Sequence, residues 1–117
     1  MAASDFSETC PKDEKAVELL GKRWTALILR SLIEGPRRFT KIKAYVEGVS
    51  DRLLSERLQE MEEAGVVVRR VQAQRPVLIE YSLTAKGADL RRVVEAIQGW
   101  ADQWEPEAEA KEAGVRR

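Results

Sequence analysis

GVSDRLLSERLQEMEEAG, residues 48–65, is the stretch on which the reading of the fold turns. Gly48 interrupts what precedes it, Ser50 offers a side-chain oxygen to the first free amides, and Gly65 supplies a stop. The spacing therefore predicts a helix over 51–64. At about 100° per residue, Leu53, Leu54, Leu58 and Met61 fall on one broad side, while Arg52, Ser55, Glu56 and Gln59 lie away from it. Just upstream, Thr40 is a candidate N-cap for a short helix through Tyr45, with Ile42 and Tyr45 expected to face inward. Two short helices joined by a few residues containing glycine form a helix-turn-helix pattern.

Upstream of this motif, Pro11 suits the first position of a helix carrying Ala16, Val17, Leu19 and Leu20, which Gly21 interrupts. WTALILRSLI, 24–33, predicts a more deeply packed helix bearing Trp24, Leu27, Ile28 and Ile33, stopped by Gly35-Pro36. Downstream, the periodicity changes. Val66 to Val68 and Val77 to Leu83 predict two strands, joined at the polar tip VQAQRP, 71–76, as an antiparallel hairpin or wing. Thr84 then caps a last helix that Pro106 ends. The expected fold is α+β: a winged helix-turn-helix over 11–104 that includes N- and C-terminal dimerisation helices. A flexible arm is expected at 1–10, and an acidic, disordered tail at 105–117.

The 117 residues fit one compact domain with little interior left for a deep cleft. The chain has one cysteine and no histidine, which excludes an intrachain disulfide, the usual Cys/His zinc clusters and histidine-based catalysis. It carries no GxxxxGK[ST], GxSxG or HExxH motif, so no enzyme, cofactor or metal site is expected. The N-terminal MAASDFSETC lacks the apolar run of a secretory signal, and the longest uncharged runs, WTALIL and AIQGWA, are far too short to span a membrane. A cytoplasmic location is expected.

Twenty basic and twenty acidic side chains cancel overall but not along the chain. Residues 1–35 hold five basic and six acidic groups, 36–92 hold twelve and eight, and 93–117 hold three and six. The basic centre coincides with the helix-turn-helix and wing, as phosphate binding requires. On the outward face of the predicted helix, Arg52 suits guanine, Gln59 suits adenine, and Ser55 suits either base or phosphate. Asp51 and Glu56 belong to the same face. They suit cytosine N4 or the holding of an arginine, and Asp51 also suits the helix N-terminus. Arg57 falls on the apolar side and is assigned no base. Arg37, Arg38, Thr40, Lys41, Lys43 and Ser50, with Arg69, Arg70 and Arg75 of the hairpin, are the candidate phosphate or wing contacts.

The order of these blocks resembles that of the HxlR family of bacterial winged-helix transcription regulators, relatives of the MarR group. The resemblance rests on Cys10-Pro11, LLGKRWTALILRSLIEGPRRF at 19–39, GVSDRLLSERLQEMEEAGVVVR at 48–69 and YSLTAKG at 81–87. It implies a homodimer on a roughly palindromic operator, with the helix from Ser50 as recognition helix, residues 70–77 as wing tip, and the first and last helices in the dimer contact. The residues agree. Val93 and Trp100 flank a last-helix stripe of Leu90, Val94, Ile97, Ala101 and Trp104 that is wider than one small domain covers. The expected function is a sequence-specific DNA-binding regulator, with repression expected because a compact dimer excludes polymerase without an activating surface. The family also implies a reactive-switch role for Cys10 in some members, against the plainer reading of a small buried residue or cap. A small effector or an oxidant is then a possible partner, with Trp24, Trp100 and Trp104 as a candidate apolar wall. A winged helix that binds protein and not DNA is the competing reading, kept open by Asp51 and Glu56.

Overall fold

A computed structural model describes residues 11–105. In chain order the elements are α1 (Pro11–Leu20), α2 (Thr25–Leu32), α3 (Phe39–Tyr45), α4 (Asp51–Glu63), β1 (Val67–Gln72), β2 (Leu78–Leu83) and α5 (Ala85–Trp104). The expected flexible arm, Cys10 included, and the tail from residue 106 lie outside the described residues.

The core gathers one face from each of α2, α3 and α4. Ile28, Leu29 and Leu32 meet Ile42, Val46, Leu54, Leu58 and Met61, with Val66, Val67 and Val94 closing the cluster. Both ends of α4 follow from local chemistry. The Ser50 hydroxyl accepts from the Leu53 amide at 3.1 Å, satisfying an amide that the first turn leaves free. At the other end Gly65, at φ 79°, donates to Glu62 O and Val66 donates to Met61 O, both at 3.0 Å. That is the paired-bond exit for which a left-handed glycine is suited.

β1 and β2 pair antiparallel in a register running from Val67 opposite Leu83 to Gln72 opposite Leu78. A third, one-residue rung is added by Arg37, whose amide and carbonyl exchange bonds of 2.9 and 2.8 Å with Tyr81. This rung ties the entry of the helix-turn-helix to the wing. At the far end Thr84 caps α5 through Gly87, donates to Gly65 O at 2.6 Å, and is joined by Lys86, which donates to Ala64 O at 2.8 Å. The start of α5 thus sits on the end of α4.

Several expectations are corrected. Trp24 is not in α2 but precedes it in a left-handed conformation, φ 81°, with its ring against Gly48 in the turn between α3 and α4. Thr40 does not cap α3. The Arg37 rung fixes the backbone early, so Arg38 occupies the cap position and the helix begins at Phe39. Tyr45 is 46% exposed, and Val46 takes the inward place expected of it. β1 continues through Val71 and Gln72, where cross-strand pairing outweighs the polar composition read as loop. The turn is confined to residues 73–77, and Val77 stays outside β2 and exposed.

Candidate nucleic-acid interface

The outward face of α4 is free. Asp51, Arg52, Ser55, Glu56 and Gln59 are all exposed, while Leu54, Leu58 and Met61 behind them are buried. The helix is held mainly from within, by this buried face, and Arg52, Ser55 and Gln59 take no part in that packing. A free helix with polar side chains of this length suits the width of a DNA major groove.

The two carboxylates on this face are both engaged. Asp51 accepts from Lys43 Nζ of α3 at 2.7 Å, and Glu56 accepts from Arg52 Nε at 3.2 Å. Each acid that would repel a phosphate therefore has a cation beside it. Arg57 turns inward: its Nε donates to Arg23 O at 3.0 Å and its Nη1 meets Glu60 at 3.3 Å, while Lys22 reaches Glu60 at 3.2 Å. These bonds lock the turn before α2 onto the back of α4, and they hold Arg57, half-buried, away from the exposed face of Arg52, Ser55 and Gln59.

Around α4, Arg38, Thr40 and Lys41 are exposed beside a shallow groove that Pro36 and Glu80 also line. Arg69, Arg70 and Arg75 are exposed on the hairpin, and none of them, nor Arg38 or Lys41, is in an ion pair among the described residues. Ser50 is exposed; its oxygen accepts the cap bond, and its hydroxyl hydrogen makes no bond among the described residues. Arg37 departs from its expected role. Its guanidinium donates to Ser31 O, lies 3.9 Å from Glu34 and sits 5.7 Å from the Tyr45 ring centre, so it braces the fold.

The stripe expected on α5 splits in two. Taking about 100° per residue, Leu90, Val94 and Ala101 lie near one direction and Val93, Ile97, Trp100 and Trp104 about 70° round from it. Val94 is 4% exposed and Leu90 packs against the same core, so Val94 is a monomer core residue and not a contact for a partner. Ile97, Trp100 and Trp104 are 54%, 60% and 62% exposed, with Val93 and Ala101 half-buried at their margins. Arg91 beside Glu95 and Arg92 beside Asp89 hold their guanidiniums above the usual range, through the hydrogen bond first and the opposite charge second. Both pairs keep the flank of α5 charged.

The three tryptophans do not make one wall. Trp24 lines a separate depression with Arg23, Leu27, Arg30, Tyr45 and Gly48, and the Arg23 guanidinium lies 4.6 Å over its ring. Sequence reasoning missed Arg23 and Arg30 here; the adjacent Arg23-Trp24 pair is the only signal the chain offers. No helix among the described residues is long and apolar enough to cross a membrane.

Comparison with known proteins gives this geometry relatives. The family described as HxlR-like helix-turn-helix matches residues 19–109. The HTH-type transcriptional regulator YvaP of Bacillus subtilis strain 168 is 51% identical over 98 residues, covering 84% of this chain and 91% of the relative. The HTH-type transcriptional regulator YodB of the same organism is 45% identical over 95 residues, covering 81% and 85%. The reduced form of YodB superposes with a TM-score of 0.76 over 85% of this chain and 98% of that one, and diamide-treated and quinone-bound forms of YodB also match. The redox regulator HypR in its oxidized form is 31% identical, with a TM-score of 0.74 over 80% and 96% of the two chains.

Proposed function

The chain belongs to the HxlR-like helix-turn-helix family and is a DNA-binding transcription regulator, and from that premise we propose that it acts as a homodimeric repressor on a roughly palindromic operator. The observation that carries this reading is the division of α4, with Leu54, Leu58 and Met61 buried and Arg52, Ser55 and Gln59 exposed. In a two-fold dimer two such helices enter successive major grooves about 34 Å apart. Arg52, Ser55, Glu56, Gln59 and Asp51 face the bases. Arg38, Thr40, Lys41, Lys43 and Ser50 meet the backbone, and the wing adds Arg69, Arg70 and Arg75. The bland role of these surface cations is solvation alone, and the salt dependence of binding separates the two.

Selection of duplexes from a random pool by the purified protein tests the reading. One enriched motif with two related half-sites is the expected result, its affinity falling with salt at a slope of about −0.9 per phosphate contacted. Arg52→Ala should relax the choice at one position per half-site, at a cost of about 1–3 kcal/mol. Uniform weakening with an unchanged motif would move Arg52 to the phosphate contacts. The absence of binding to any duplex at low salt would instead favour a protein partner for this face.

A second reading, redox control through Cys10, is favoured by relatives whose solved structures include reduced, diamide-treated, quinone-bound and oxidized forms. Cys10 is the chain's single cysteine, so the chemistry open to it is an intersubunit bond, a mixed disulfide, a sulfenic acid or an adduct. Diamide is expected to change operator affinity several-fold in the native protein and to leave Cys10→Ser unchanged. Equal responses of the two proteins in a binding assay would exclude the cysteine as sensor.

A further inference from the structure

We infer that Arg52 and Glu56 form one reading unit, in which Glu56 is a positioning residue that sets how Arg52 meets a base. The inference rests on α4 being the DNA-reading helix. Glu56 Oε2 takes the hydrogen of Arg52 Nε at 3.2 Å, across one helical turn. With Nε engaged, the two terminal nitrogens of the guanidinium make no hydrogen bond to the carboxylate and keep their end-on N–H pair free. Those nitrogens match the O6 and N7 acceptors of a guanine approached end-on. A free arginine, 87% exposed as this side chain is, also reaches the phosphates on either side of the groove. The carboxylate removes that freedom.

Helix stability accounts for only a small part of the pair. A cation in the first turn opposes the positive end of the helix, and Arg52 is the second residue of α4. The order of charges is also the weaker of the two possible at four-residue spacing, in which the acid stands C-terminal to the base. The nearest competing acid is removed as well. Asp51, the neighbour of Arg52, is held by Lys43 of α3 at 2.7 Å, so Arg52 is left to Glu56 alone. Glu56 keeps a second oxygen, Oε1, free of bonds among the described residues, and it suits the N4 amino group of a cytosine beside the guanine.

Duplex selection and salt titration on the wild type, Glu56→Ala and Glu56→Asp test the unit. Both substitutions fall on an exposed helix surface, and circular dichroism should confirm unchanged folding. The wild type is expected to prefer guanine by about tenfold or more at the Arg52 position. In Glu56→Ala that preference should fall to about two- to threefold, and the salt slope should steepen by about 0.9 per subunit as Arg52 turns to a phosphate. Glu56→Asp retains the charge but is one methylene shorter, and should lose base choice in the same way. An unchanged motif and slope in Glu56→Ala would overturn the inference while leaving the regulator reading standing. So would wild-type behaviour in Glu56→Asp, since charge alone would then explain Glu56. A wild type that enriches no motif while binding duplex poorly at low salt would remove the premise itself.

Discussion

Gly87→Ala is expected to lower the thermal midpoint by on the order of 10–20 °C, or to prevent folding at 37 °C. A Cβ at this position would fall on the Val66 carbonyl oxygen and lie 2.9 Å from its carbon, with Leu83 Cδ2 at 3.2 Å on the other side. Val66 is fully buried, and the same carbonyl accepts from the Thr84 amide, so the obstacle is fixed backbone that cannot swing aside. Two effects compete. Alanine is the better helix former by about 1 kcal/mol, whereas forcing an extra carbon into a packed joint costs about 1–3 kcal/mol, and more where, as here, the obstacle is fixed backbone. The clash wins, and a few kcal/mol is a large shift in a domain of this size. Thermal unfolding followed by circular dichroism checks it; a midpoint within 3 °C of wild type would mean that α5 docks less closely than described.

The joint removal of Trp100 and Trp104 should separate the proposed dimer. Both rings are more than half exposed and share a face with Ile97, so alanine at both positions takes little from the core. At an interface, buried tryptophans are typical energetic centres, each worth about 2 kcal/mol or more on truncation. Dissociation should then rise by at least about 30-fold for the first such loss and further for the second. Sedimentation equilibrium at micromolar concentration should show the native mass near twice 13.3 kDa, and the double variant near 13.3 kDa with its helical content retained. A native protein that stays at 13.3 kDa would end the dimer proposal; a variant that stays paired would move the contact away from this face.

The parts of this fold that were legible in the chain are those decided locally. Ser50, Gly65 and Thr84 announce helix ends because a side-chain oxygen or a left-handed backbone acts within three or four residues of itself. The leucine face of α4 was legible for the same reason: one turn repeats the next. What escaped was set by contacts distant in sequence. Nothing near Arg37 reveals the backbone rung to Tyr81, 44 positions on, which moves the start of α3 ahead of Thr40. The stripe on α5 looked single because all its members are apolar. Only the position of α2 and the sheet separates Val94, which they cover, from Trp100 and Trp104, which they do not. The exposure of residues 51, 52, 55, 56 and 59 was legible as a set, and so was an acid able to hold Arg52 one turn away, but the partner of Asp51 was not, since Lys43 reaches it from a different helix.

The joint between α4 and α5 is made largely of main-chain oxygens, a threonine cap and a glycine, and the outer side chains of α4 have no part in it. Substitution at 52, 55 or 59 thus falls where surface changes ordinarily move stability by no more than about 0.5 kcal/mol. With these residues reading the operator as proposed, a gene duplicate could drift to a new promoter by exchanging them, with no need to renegotiate its architecture on the way.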